Sequence, residues 1–182
     1  MKSVLIFGSN SDLAKKTKVL LEKKRFHLLE YNKKKLNFLK INSSKKIREI
    51  LIKENPDIIL NFAAVLGSNT DDYNEVYKVN FLPNWEIVKH YMSFNASKTV
   101  KIIFIGSTSF KKGKGNYILY SSSKAALHNL YQGAKEKFKN TNIKVAIFHP
   151  QRFKSKLLNN LNNKGKFQNI DLVVNDLLKK IL

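Results

Sequence analysis

The chain has 182 residues, of which 43% are apolar, so it is long enough and apolar enough to bury a core as one domain. It contains no cysteine, which excludes disulfide scaffolds, thiolate metal sites and cysteine catalysis. The 34 Lys and Arg residues against 13 Asp and Glu give a net charge of +21. Such a charge is typical of proteins that bind polyanions, and equally of a composition biased toward lysine throughout.

The sequence also has no pattern typical of a metal site or of a membrane span. The four histidines stand far apart without metal-binding spacing, so we expect no metal site. No apolar run approaches the roughly 18 residues that a membrane span needs, and the first apolar stretch stops at Gly8, too short for a signal peptide. We therefore expect a cytoplasmic protein with no membrane contact.

Short apolar, β-branched runs alternate with helical patterns along the chain. Strands are predicted at residues 4–7, 26–31, 58–62, 100–105 and 143–148. Helices are predicted at 12–24, 47–53, 72–94 with an interruption near Pro83, 121–138 and 170–182. Residues 159–169 are polar and predicted to form a mobile loop. Because the strands are apolar on both faces, we expect a parallel, doubly wound sheet of Rossmann type, in three α/β/α layers.

The first predicted strand runs into a turn of small residues that opens the first helix. A turn of this kind lets backbone N–H groups and the helix N-terminus approach a pyrophosphate. Only the first glycine of the usual dinucleotide pattern remains, because Asp12 and Ala14 stand where the second and third would be. The turn by itself is also compatible with an ordinary capped helix start. Its residues are Gly8, Ser9, Asn10, Ser11, Asp12, Leu13 and Ala14.

Tyr120 and Lys124 are four residues apart in a predicted helix, so their side chains share one face. An ammonium beside a phenol favours the phenolate, which would make the tyrosine an acid/base group. Ser107 follows a predicted strand at the edge of the sheet where ligands bind, and its hydroxyl can donate a hydrogen bond to a substrate oxygen. Tyr117 is a rival tyrosine, but no lysine follows it at the needed spacing.

In this order along residues 2–155, these motifs resemble the short-chain dehydrogenase/reductase family. The resemblance implies a sheet of about six strands in a single NAD(P)-binding domain spanning residues 1–182. It implies Asn80, Ser107, Tyr120 and Lys124 as catalytic residues, with Asn80 supporting a proton-relay water. It implies cofactor contacts from the turn Gly8–Leu13 and from Asn32, Lys33, Asn42, Asn61, Phe62, Ala63, Ala64, Tyr120, Lys124 and Pro150.

The residues at the end of the second predicted strand indicate which cofactor the chain prefers. Asn32 stands where members that prefer NAD usually carry an acid for the ribose 2′-hydroxyl, and Lys33 follows it. The pair favours NADP(H), with NAD(H) possible if Glu30 takes the ribose instead. Asn42 would end a third strand and contact the adenine. After the last strand, Gln151 replaces the usual glycine, and Arg152 is placed to reach an anionic substrate or phosphate.

We therefore predict an NADP-dependent oxidoreductase that acts on a carbonyl or secondary alcohol, with a small-molecule substrate and no specific nucleic acid partner. Two alternatives stay open: a nucleotide-sugar or sugar-modifying reductase or epimerase, and a non-catalytic dinucleotide-binding protein. The resemblance also implies a homodimer or homotetramer. Compared with the family, we expect a short substrate loop and no last strand.

Overall fold

Five parallel strands form one sheet in the computed structural model, which describes residues 1–67, 73–94, 96–158 and 166–182. The strands are β1 (Ser3–Phe7), β2 (His27–Tyr31), β3 (Ile58–Asn61), β4 (Val100–Ile105) and β5 (Ile143–Phe148). Their order across the sheet is β2-β1-β3-β4-β5, and each neighbouring pair is parallel. The predicted α/β class with a parallel sheet is confirmed.

Helices cover both faces of the sheet. They are α1 (Asp12–Lys23), α2 (Ser43–Glu54), α3 (Tyr73–Asn80), α4 (Leu82–Ser93), α5 (Ile118–Lys137) and α6 (Ile170–Ile181). Short 3₁₀ turns lie at Thr108–Lys111, Gly115–Tyr117 and Lys156–Leu158. Pro83 lies in the first turn of α4, where a missing N–H costs no helical hydrogen bond, and the predicted long helix breaks just before it.

Alternate residues of each strand enter two separate apolar clusters. Leu5 and Phe7 of β1 pack with α2, α4 and α5, whereas Val4 and Ile6 pack with α1 and α6. Because both faces of a strand are buried, the strand sequences are continuously apolar rather than alternating.

The predicted third strand, which would end at Asn42, does not form, so the sheet has one strand fewer than the roughly six expected. The chain leaves β2 through a tight turn in which the Asn32 side-chain oxygen accepts hydrogen bonds from Lys34 N at 3.0 Å and Lys35 N at 3.2 Å. It then continues through further turns to α2, burying Leu36 and Phe38 in the core without pairing to β2. The burial of these two residues agrees with their apolar character, but the predicted extended conformation is wrong.

Two predicted segments fall partly outside the described residues: the start of the helix at residue 72, and residues 159–165 of the predicted loop. Within the described ranges, no helix combines the length and apolarity that crossing a bilayer requires.

The strand order places a reversal of winding between β1 and β3. At such a point, the loops that follow the two strands diverge to opposite faces and leave a crevice at the carboxyl edge of the sheet. The candidate site lies there.

Candidate active site

A cavity of about 540 Å³ opens at the carboxyl edge of the sheet, between the turn after β1 and the segments that follow β3, β4 and β5. Most of the predicted site residues line it. They are Asn10, Ser11, Asp12, Leu13, Asn61, Phe62, Ala63, Ala64, Ser107, Tyr120, Lys124 and Pro150.

A second cavity of about 220 Å³ lies on the side of β2 and shares the walls formed by the turn after β1 and by residues 62–64. Three of the residues predicted to contact the cofactor, Gly8, Asn32 and Lys33, line it. The segment that fails to form a strand supplies the other wall, through Leu36, Asn37, Phe38 and Leu39. These four residues were not among the predicted site residues, because that segment was expected to be extended.

Three predicted residues do not reach either cavity. Ser9 is buried beneath the turn with its hydroxyl unpartnered, and Asn80 is buried behind the cavity wall. Asn42 is exposed at the start of α2, because the chain reaches it through turns rather than along a strand. Glu30, the alternative ribose ligand, also lines neither cavity, and its carboxylate lies 2.6 Å from Lys18 Nζ in an ion pair.

The turn after β1 touches the end of β3 backbone to backbone at Gly8. Gly8 has φ +68°, and a Cβ there would lie 2.4 Å from Ala63 N, closer than any side chain permits. The Gly8 N–H donates to Tyr31 O at 2.9 Å, and the Ser11 hydroxyl caps α1 by accepting from Ala14 N at 3.2 Å. This glycine is therefore required by its position, although the other two glycines of the usual pattern are absent.

A network of buried amides fixes the wall behind the cavity. Asn61 accepts from Ala63 N at 3.1 Å and donates to Asn84 Oδ1 at 3.2 Å. Asn84 donates to Asn80 O at 3.0 Å, and Asn80 bonds both backbone groups of Val65 as well as Ser123 Oγ at 3.0 Å. Asn80 thus ties the segment after β3 to α5, the helix that carries the tyrosine and lysine.

Tyr120, Ser107 and Lys124 meet at one wall of the larger cavity. Burial raises the pKa of Tyr120, a hydrogen bond with the Ser107 side chain lowers it, and Tyr117 nearby raises it again, so that the net direction is upward. Lys124 Nζ donates to Ile105 O at 2.9 Å and lies 5.6 Å from the centre of the Tyr120 ring. Burial lowers the pKa of Lys124 to about 8. In the structure, burial thus outweighs the lowering of the tyrosine pKa that the Tyr–Lys spacing suggests.

The sequence gives little signal for two histidines beside Ser107. His149 Nδ1 lies 3.1 Å from Ser107 N, and its Nε2 lies 3.1 Å from His128 Nδ1. Phe110 stacks on both imidazole rings, at centroid distances of 4.2 and 4.1 Å. Only the position of His149 directly after the last strand could have indicated it. His128 lies on α5, in a stretch with no recognisable motif.

The described residues fit a nicotinamide dinucleotide. The two cavities adjoin along the turn after β1, at the positive N-terminal end of α1, where the missing Cβ of Gly8 lets the turn lie against the backbone of Ala63. Asp12 is the one carboxylate in the described lining of the larger cavity, and Lys156 N donates to it at 2.7 Å. Gly8–Leu13 would hold the pyrophosphate, and Lys124 a ribose hydroxyl.

The sequence matches the family model described as short chain dehydrogenase over residues 2–166. It is 32% identical over 143 residues to the bifunctional ribulose 5-phosphate reductase/CDP-ribitol pyrophosphorylase Bcs1 of Haemophilus influenzae, covering 72% of this chain. The match spans only 30% of that relative's length.

Solved structures of low sequence identity share the fold. The short-chain dehydrogenase from Sphingobium yanoikuyae in complex with NADPH has a TM-score of 0.86 and 15% identity, over 100% of this chain and 84% of that one. A 4-hydroxyisoleucine dehydrogenase complexed with NADH has a TM-score of 0.81 and 19% identity, over 100% and 91%. Together with the family match, these neighbours show that the chain has the fold of the short-chain dehydrogenases.

Replacing Gly8 with alanine should weaken NADPH binding by about tenfold or more, because the new Cβ would push the turn away from Ala63 and from the phosphate position. Titration of NADPH fluorescence with the purified variant measures the change.

Gly133→Ala is the matched control, because a Cβ at Gly133 in α5 meets no atom within 4 Å. That variant should bind NADPH normally and gain about 0.5–1 kcal/mol in urea unfolding from better helix propensity. A folded Gly8→Ala protein that binds NADPH like the wild type would contradict the assignment of the turn.

Proposed function

Since the chain belongs to the short-chain dehydrogenase family, we propose that it reduces a ketone or aldehyde to an alcohol with NADPH, using Tyr120 as the proton donor. The family-level prediction, an NAD(P)-dependent oxidoreductase, is confirmed by the match. The observation that carries the finer proposal is the meeting of Ser107, Tyr120 and Lys124 at one wall of the cavity that begins at the N-terminus of α1. A homodimer, a cytoplasmic location and a single domain over residues 1–182 stay predictions from the sequence.

Tyr120 is suited to giving a proton rather than taking one. Because burial raises its pKa, the phenol is neutral near pH 7 and can donate to an oxygen that gains negative charge. The nicotinamide cofactor, when bound, supplies the hydride that reduces the carbonyl carbon. Ser107 lines the same wall as Tyr120, and its hydroxyl can donate a hydrogen bond to the same oxygen and hold it in place.

Lys124 supports this proton transfer electrostatically. With a pKa of about 8 it is mostly charged near pH 7, and it is held by the Ile105 carbonyl beside the tyrosine ring. As Tyr120 gives up its proton, the ammonium stabilises the phenolate that forms. The lysine thus favours the product of the proton transfer without ionising the tyrosine beforehand.

NADP(H) preference rests on the exposed end of the smaller cavity. Lys33 is exposed there, and the side-chain oxygen of Asn32 is bound by the backbone of its own turn. The Asn32 amide group therefore offers N–H donors, and Lys33 a positive charge, to a 2′-phosphate. Glu30 does not line this cavity, because it is paired with Lys18 on the other side of β2. The carboxylate in the described lining is that of Glu75, which belongs to α3 and not to the turn after β2.

We further propose that the substrate carries a phosphate, in the class of phosphorylated ketoses. The relative from Haemophilus influenzae is by name a ribulose 5-phosphate reductase. The described lining of the larger cavity includes Lys114, Arg152 and Lys156 at its outer part against the single carboxylate of Asp12. A cationic mouth of this kind attracts a phosphate and leaves the carbonyl end of the substrate for Ser107 and Tyr120.

Tyr120→Phe should lower kcat for NADPH-dependent reduction by about 100-fold or more, because the proton donor is lost while the ring still fills its place. The Kd for NADPH should stay within about twofold of wild type. Tyr117→Phe tests the rival tyrosine in the same assay. If Tyr117→Phe is inactive and Tyr120→Phe is active, the proton donor is Tyr117 and the proposed role of Tyr120 is wrong.

Lys33→Ala should weaken NADPH binding by about tenfold and leave NADH binding unchanged, because only NADPH carries the 2′-phosphate. Lys34→Ala is the matched control, since its charge is equal, its side chain is exposed and it lines neither described cavity. Fluorescence titration with both cofactors gives the four affinities. Equal losses for NADPH and NADH, or tighter binding of NADH by the wild type, would refute the proposed preference.

D-ribulose 5-phosphate should be reduced with a kcat/KM at least about 100-fold higher than that of unphosphorylated D-ribulose, because the phosphate contributes binding energy. Lys114→Gln should raise KM for the phosphorylated sugar by about fivefold and leave D-ribulose unaffected. Lys112→Gln, two residues away and outside the described lining, controls for net charge. Equal rates with both sugars would exclude the phosphate proposal and leave the reductase proposal standing.

A further inference from the structure

We propose that His149, held by His128, is a positioning residue for Ser107, whose backbone N–H it binds so that the serine hydroxyl stays directed toward Tyr120. This inference rests on the proposed function, in which Ser107 and Tyr120 act on the substrate oxygen. It adds two residues that neither the sequence motifs nor the resemblance assigns to the reaction.

The tautomer of His149 decides which of its two contacts with Ser107 is a hydrogen bond. The Ser107 N–H can only donate, so it binds His149 Nδ1, 3.1 Å away, when that nitrogen carries a lone pair. Ser107 O, 3.0 Å from the same nitrogen, would accept from it only in the other tautomer. In the first tautomer, the one that positions Ser107, the proton of His149 is on Nε2 and points to His128 Nδ1 at 3.1 Å. His128 then has its ring proton on Nε2.

The neighbouring residues hold His149 neutral and both rings in place. Burial lowers the pKa of His149 to about 4; a hydrogen bond with the Ser107 backbone opposes this shift, and His128, Lys124 and Lys111 add to it. Phe110 covers both rings by stacking. Gly106 leaves the space that the His149 ring occupies, because a Cβ there would lie 2.4 Å from Nδ1. The ring therefore fits against Ser107 only because residue 106 has no side chain.

The backbone of Ser107 is held by His149 and no longer by the sheet. Its backbone is extended, with φ −161° and ψ 150°, and its hydroxyl accepts from Ser109 N at 3.2 Å. The paired residues of β4 and β5 end at Ile105 and Phe148, and Gly106 N donates one further bond to Phe148 O at 2.7 Å. Ser107 is the next residue. Beyond that bond the sheet no longer holds the chain, and His149 takes over as the partner of the next N–H.

The first test compares two substitutions of His149 in NADPH-dependent reduction of D-ribulose 5-phosphate. His149→Leu removes the acceptor and should lower kcat by about 10- to 100-fold, with the NADPH Kd and the unfolding midpoint close to wild type. His149→Asn places Oδ1 near the position of Nδ1 and should recover kcat to within about threefold of wild type. His90→Leu, at a buried histidine on α4 outside the described cavities, is the control.

Combination with Ser107→Ala distinguishes positioning from general stabilisation. If His149 acts through the serine hydroxyl, His149→Leu should cause no further loss beyond about twofold in the Ser107→Ala background. Losses that multiply, or no recovery in His149→Asn, would overturn the inference. Full activity in His149→Leu when Ser107→Ala is impaired would do the same. If Ser107→Ala itself is fully active, the serine's part in the proposed function fails instead.

A second measurement needs no substrate. Long-range ¹H–¹⁵N spectra of histidine-labelled protein at pH 7 should show His149 and His128 neutral with their protons on Nε2. A proton on Nδ1 of His149, or an imidazolium at that residue, would contradict the assignment whatever the activity of the protein.

Discussion

Contact between the turn after β1 and the end of β3 sets the geometry of the whole site. The two backbones meet at Gly8 and Ala63, at a distance that leaves no room for a Cβ on the first of them. From this contact, α1 leaves on one face of the sheet and the segment after β3 leaves on the other. The crevice between them exists because parallel strands in this order must send their following loops apart. Both cavities adjoin this one contact.

Burial governs the chemistry of the groups gathered at the crevice. Burial away from water raises the pKa of Tyr120 and lowers those of Lys124 and His149, which in each case favours the neutral form. Each of these side chains is also held by a hydrogen bond, to Ile105 O, Ser107 and the Ser107 backbone respectively. Burial without such partners would destabilise the fold, so the same contacts that stabilise the groups also orient them. A neutral phenol beside a fixed ammonium suits proton donation.

The sequence predicted the sheet and its helices well, because continuous apolar strands and a proline break are local signals. It failed at residues 36–42, whose apolar residues are buried as expected but in turns. The turn that leads into this segment is closed by the Asn32 side chain, which accepts from two backbone N–H groups, and no pattern of hydropathy encodes such bonds. As a result, Asn42 lies exposed, and Leu36–Leu39 form the cavity wall instead.

The site residues divide in the same way. Ser107, Tyr120 and Lys124 stand at recognisable spacings, so the motif placed them on one cavity. Their supporting contacts are long-range: Asn80 reaches Ser123 across 43 positions, and His149 reaches Ser107 across 42. Such pairs depend on which loops the sheet brings together, and one sequence alone carries no signal for them. The predicted catalytic role of Asn80 therefore stays a prediction, while its contacts identify it as a tie between α3 and α5.

Of the charges that make up the net charge of +21, those that line the two cavities are the ones that affect a ligand. Charges spread over a surface are screened within about 8–10 Å at physiological ionic strength, so most lysines have no effect on a ligand in the crevice. Lys33 at the mouth of one cavity, and Lys114, Arg152 and Lys156 at the other, lie on the path of an incoming ligand. Apolar walls around a cleft focus the field of such charges. The same field would attract both a dinucleotide phosphate and the phosphate of the proposed substrate toward the crevice that holds Lys124.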